Sequence, residues 1–202
     1  MSYIDPKTLE QINNLKQSYK YKEALDLVNK ILVKDPNNEE ALLEVADIMY
    51  MEGNLEKAEK PIDYMLNSGK NTSMGLYVKG VLEMEKTNWN KARKFLKASL
   101  KLNEEDNPEI LRCYGLCEYW VGNRQKGLTF LFSAFEQSNQ LDAEVIYNLV
   151  EVNMLEHNYQ DVKYYIDHFY KNRDKLNCFE KDVSYYDEKI SLFHSYLENI
   201  IK

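Results

Sequence analysis

Residues 111–127 read LRCYGLCEYWVGNRQKG, and residues 76–92 read LYVKGVLEMEKTNWNKA. Set one above the other, they keep step: Leu111 falls on Leu76, Gly115 on Gly80, Asn123 on Asn88 and Gly127 on Ala92. Outward from this pair the same columns continue along the chain. Asn54, Asn88, Asn123 and Asn158 are spaced 34, 35 and 35 apart. One small-residue column reads Ile12, Ala46, Gly80, Gly115 and Val150; a second reads Ala24, Ala58, Ala92, Gly127 and Val162. A fixed period in this range is the signature of stacked helical hairpins, each burying its apolar face on its neighbours. Such an array presents a long surface rather than an enclosed catalytic pocket, which reads as a binding scaffold.

Composition narrows the reading. The 202 residues are 44% hydrophobic and 29% charged, the balance of a folded chain. Seven Gly and four Pro leave little material for long loops. A net charge of -7 argues against a nucleic-acid backbone or an anionic membrane as partner, since both call for a basic face. The opening residues, Met1 to Pro6, show no basic stretch leading into an apolar run, so no signal peptide is expected. Cys113, Cys117 and Cys178 make an odd count, read as reduced thiols of a cytoplasmic protein. Asn71-Thr72-Ser73 matches a glycosylation sequon that would matter only after secretion.

Within each repeat, apolar residues at helical spacing give two amphipathic helices. The first carries Ile12 and Leu15, or Leu42, Val45, Ala46 and Met49; the second carries Ala24, Val28 and Ile31, or Ala58, Ile62 and Met65. Small residues on the facing sides let the two axes approach closely. Gly53-Asn54 and Gly122-Asn123 supply turn residues, and Pro36 and Pro108 stand where helices stop or start. Pro61, some five residues into a second helix, predicts either a local bend or a tolerated early-helix proline.

Leu76/Gly80/Trp89/Ala92/Leu96 and Leu111/Gly115/Gly122/Leu131/Ala134 resemble the tetratricopeptide repeat pattern. The resemblance covers roughly residues 5 to 176. It implies an all-α, right-handed superhelical solenoid of about five helix hairpins, near 5–38, 39–72, 73–107, 108–142 and 143–176, followed by a C-terminal capping or dimerisation helix over 177–202. The chain departs from the pattern where the family carries Tyr on the first helix: here that column reads Leu15, Met49, Glu83, Glu118 and Asn153.

The family geometry implies that the first helix of each hairpin lines a concave groove. A stripe beside the packed one reads Leu43, Asp47 and Tyr50; then Tyr77, Val81 and Met84; then Arg112, Leu116 and Tyr119; then Tyr147, Glu151 and Met154. Met51, Met74 and Trp120 adjoin it. Aromatic and Met anchors are what partner surfaces use, though a stripe at this spacing also serves as core. The rim charges Glu40, Asp47, Glu85, Glu109, Glu144 and Glu151 outnumber Lys16 and Arg112. The expected ligand is a peptide segment of a partner protein with apolar anchors and basic residues. Some members that serve heat-shock chaperones grip a C-terminal carboxylate; of the matching positions Leu9, Asn13, Glu44, Met74 and Val78, only Asn13 fits. The groove is more similar to that of tetratricopeptide secretion chaperones.

From Asn177 the period breaks. Asn177 with Glu180 resembles a capping box, and Phe179, Val183, Tyr186, Ile190, Phe193, Leu197 and Ile200 alternate by four and three. A helix over 177–201 would span about 37 Å. It either caps the last hairpin or pairs with a second chain. No phosphate loop, metal-ligand set or nucleophile motif is visible, so no enzyme activity and no cofactor are expected. Cys113 and Cys117, four apart on one helix, read as packing residues. The leading expectation is a protein-interaction scaffold, adaptor or chaperone-like. A structural homo-oligomer is the alternative, and a pentatricopeptide-like RNA binder is disfavoured by charge.

Overall fold

A computed structural model describes residues 3–69, 72–103, 107–178 and 181–200. Asn71 of the sequon, Phe179 and Glu180 lie outside the described residues. The described residues form eleven α-helices and one 3₁₀ turn, with no strand among them. Five hairpins pair α1 (Pro6–Gln17) with α2 (Tyr21–Lys34), α3 (Glu39–Met51) with α4 (Leu55–Asn67), α5 (Ser73–Glu85) with α6 (Trp89–Leu102), α7 (Pro108–Trp120) with α8 (Arg124–Gln137), and α9 (Ala143–Leu155) with α10 (Tyr159–Asn172). A single helix, α11 (Val183–Ile200), follows. The chain forms two compact units, Met1–Leu102 and Asn103–Lys202.

Each first helix starts at a side-chain cap. Asp5, Asn38, Thr72, Asn107 and Asp142 accept bonds from backbone amides two or three residues on, at 2.9–3.3 Å. Each first helix also ends alike. Tyr19, Gly53, Thr87, Gly122 and His157 all have φ between 58° and 95°. The amide that follows bonds the carbonyl five residues back: Lys20 to Leu15, Asn54 to Met49, Asn88 to Glu83, Asn123 to Glu118 and Asn158 to Asn153, at 2.8–2.9 Å. This left-handed closure satisfies the last carbonyls and reverses the chain. Only two of the five positions are Gly.

The small columns do the packing expected of them. Ile12, Ala46 and Val150, and Ala24, Ala58, Ala92 and Val162 opposite, are at most 1% exposed. Gly115 and Gly127 bring α7 and α8 to backbone contact: a Cβ on Gly127 would stand 2.7 Å from the Gly115 carbonyl and the Tyr119 amide. The helix α4 is continuous through Pro61.

In the second unit α9 packs on α8, and α11 packs chiefly on α9 and less on α10. The helix starts later than its sequence suggests. Asn177 does not cap it, because its backbone is drawn to the loop before α9: its amide donates to Leu141 (2.7 Å) and its carbonyl accepts from Ala143 (3.0 Å). Asp182 takes over, accepting from the Tyr185 amide at 3.0 Å. With 18 residues, α11 is about 27 Å long. Tyr186, Ile190 and Leu197 are buried, Val183 and Phe193 are half-buried, and Ile200 is exposed.

Candidate protein-interaction surface

The stripe read from the sequence divides between the two units. In the first unit, α3 carries Leu43, Asp47, Tyr50 and Met51, and α5 carries Met74, Tyr77, Val81 and Met84. Met51 and Met74 are exposed at 42% and 46%, and Leu43, Tyr50, Val81 and Met84 are half-buried. Tyr77 is likewise half-buried. Polar bonds between successive first helices hold this face. The Lys16 ammonium on α1 lies 2.8 Å from both Glu44 and Asp47 on α3. Burial pulls its pKa down, but the two carboxylates outweigh this and hold it above the ordinary value. The Tyr50 hydroxyl donates to Glu85 on α5 at 3.0 Å. Glu40 accepts from the Ile4 amide at 2.5 Å. Glu40, Glu44, Asp47 and Glu85 thus outnumber Lys16 here, and this apolar face has an acidic rim.

In the second unit the same stripe is turned inward. Arg112, Leu116, Tyr119 and Met154 are 5%, 7%, 5% and 9% exposed. Arg112 and Tyr119 join hairpins rather than line an open groove. Arg112 donates from Nε to Glu109 (2.9 Å) and from Nη1 to Asn148 (3.1 Å), and pairs with Glu144 at 3.1 Å. Its charge is met within the molecule, as a buried guanidinium requires. The Tyr119 hydroxyl donates to Glu156 at 2.7 Å, and burial together with that carboxylate pushes its pKa to about 12. Trp120 stays 44% exposed, edge-on to Tyr119 at 5.4 Å.

On α9, Tyr147 lies under α11, its ring 6.0 Å from Tyr186 and 6.2 Å from Phe193. Burial, and after it Glu151, raises its pKa to about 12; its hydroxyl donates to Glu151 at 3.2 Å. Burial also pushes Glu151 upward. The open part of the predicted stripe is therefore that of the first unit, with Trp120 standing apart.

Two features escaped the sequence reading. The departures Glu83, Glu118 and Asn153 are partners of the turn: the side-chain amides of Asn88, Asn123 and Asn158 donate to them at 2.9, 2.6 and 3.2 Å. Where the column holds Met49 the side chain is no such acceptor, and Asn54 instead caps α4 through Lys57 (3.1 Å). The second feature is the acidic bridge Glu44–Lys16–Asp47, which only the cross-hairpin register brings together.

Residues 15–71, from the end of α1 through α4, match the profile of the tetratricopeptide repeat family. Those residues carry tetratricopeptide repeats. Several solved structures share the fold over most of this chain. PilW, described as a widely conserved type IV pilus biogenesis factor, superposes with a TM-score of 0.76 at 16% identity, over 88% of this chain and 81% of its own. A thermophilic tetratricopeptide repeat protein of Thermus thermophilus gives 0.72 at 17%, over 94% and 98%. YrrB, a tetratricopeptide repeat protein described as having an unusual peptide-binding site, gives 0.60 at 18%, over 85% and 88%. No curated protein matches the chain in sequence. At these identities the likeness is one of fold. Among the described residues, no helix is long and apolar enough to cross a membrane.

Proposed function

We propose that this protein is a non-catalytic scaffold that binds a peptide segment of a partner protein on the first-helix face of its first unit. The observation that carries the reading is the contrast between the units: the stripe is accessible on α3 and α5, while its counterpart on α7 and α9 is buried or covered. Met51, Met74, Tyr77 and Met84 provide adaptable apolar contacts, and Met in particular repacks around different ligands. Glu40, Asp47 and Glu85 at the rim favour a segment with Lys or Arg beside its apolar anchors. The description of YrrB as a peptide-binding tetratricopeptide repeat protein supports the class of ligand. The role is that of an adaptor or chaperone-like holder. The buried thiol of Cys113 suits a reducing compartment, which supports a cytoplasmic location.

A random-peptide library displayed on phage and selected against the full chain tests this. Enriched sequences should pair aromatic or aliphatic anchors with basic residues, and Tyr77→Glu should weaken their binding by about tenfold or more. Enriched peptides that bind Tyr77→Glu and Met84→Glu as well as the unaltered chain would overturn the assignment of the face.

A further inference from the structure

One flank of α11, beside the face that seats on α9, carries a stripe that the packing of the helix leaves largely uncovered. Tyr185, Leu192 and Tyr196 are 41%, 62% and 58% exposed. Lys189 lies on the same face, its Nζ 5.6 Å from the centre of the Tyr185 ring. The steps are four, three and four residues, the spacing of one side of a two-helix seam. Tyr186, Ile190 and Leu197, which seat the helix, lie about a third of a turn away around it. The apolar arc of this helix is wider than its seat on α9 covers, and the uncovered flank is a surface for a partner.

We infer that the outward stripe of α11 is a self-association surface, and that its occupant is α11 of a second copy lying antiparallel. The chemistry of the stripe is complementary to itself in that orientation only. About a two-fold axis near the middle of the helix, Tyr185 of each copy stands opposite Tyr196 of the other, and Lys189 opposite Leu192. The two ends close with aromatic pairs. In the middle, the aliphatic stem of Lys189 covers Leu192, and its ammonium reaches the exposed Glu188 of the second copy, one turn away. The axis generates each of these contacts twice, as in an isologous dimer. A parallel pairing would instead set Lys189 against Lys189. One helix face about 27 Å long covers less than the ~800 Å² per partner of a standard interface, so the dimer is weak and depends on concentration. This surface belongs to the second unit and the peptide-binding face to the first.

Sedimentation equilibrium of the full chain over the micromolar to millimolar range tests the inference. The unaltered chain should pass from monomer to dimer. Leu192→Glu, at an exposed position, should remain monomeric with an unchanged helical circular dichroism spectrum. Lys189→Glu should weaken the dimer about tenfold, and the charge exchange Glu188→Lys with Lys189→Glu should recover it. A chain that stays monomeric throughout would overturn the inference. So would a dimer indifferent to Leu192→Glu, or one that the charge exchange fails to recover.

Discussion

Single residues set how closely the helices meet and how they turn. Gly127 has the Gly115 carbonyl where its Cβ would go, so Gly127→Ala forces α7 and α8 apart. It should cost about 2–3 kcal/mol in chemical denaturation despite the better helix propensity of Ala. Thr87 is the converse case. It holds φ of 58° on a β-branched, exposed residue, a conformation that L side chains resist. Thr87→Gly should stabilise the fold by about 1 kcal/mol, read as a higher denaturation midpoint. Glu118 is 1% exposed; burial alone would raise its pKa, but bonds from Lys126, Tyr114 and Asn123 hold it near 2 against an ordinary 4.5. Glu59 is held near 2 by Lys79 and Lys86. The unfolded chain takes up these protons first. Their contribution is therefore full above about pH 4.5 and is lost as the pH falls towards 2. Urea titrations at pH 7 and pH 3 should show that loss, and Glu118→Gln should be about 2 kcal/mol less stable at pH 7 with a smaller further loss at pH 3. Much of this scale was legible in the small columns Gly115/Gly127 and Ala46/Ala58, because only small residues suit that approach. The left-handed Tyr19 and Thr87 were not, since neither favours that conformation; the hairpin closure imposes it. Glu118 read as a departure from the family pattern because its partner, Asn123, is chosen by the geometry of the turn.

Among the elements, the five hairpins followed from periodicity, whereas α11 was only half readable. Its inward stripe stood out through Tyr186, Ile190 and Leu197. Its start was misplaced because Asn177, a good cap by sequence, is held by the backbone of Leu141 and Ala143. The outward Tyr185, Leu192 and Tyr196 went unnoticed because a helix rich in Tyr and Leu fits more than one stripe. The assignment of its faces has a direct check. Ile190 is fully buried and Leu192 is 62% exposed, so Ile190→Ala should cost about 3 kcal/mol while Leu192→Ala changes stability by less than about 0.5 kcal/mol. Equal effects in thermal unfolding would mean that α11 does not seat on α9 as described.

For the whole molecule, the charge of -7 and the absence of a catalytic motif pointed to a protein partner before any geometry was known. The sequence could not show which part of the stripe stays open. That depends on Arg112 finding Glu109, Glu144 and Asn148, and on α11 folding over Tyr147, both consequences of contacts between hairpins. The first-helix face of the first unit is proposed to receive the partner. The measurement that tests it most directly is a titration of the isotope-labelled full chain with a library-selected peptide, followed by amide and methyl resonances. Shifts should be confined to α1, α3 and α5, with the methyls of Met51, Met74 and Met84 moving most. Shifts centred instead on α9 and α11, with those methyls unmoved, would contradict it.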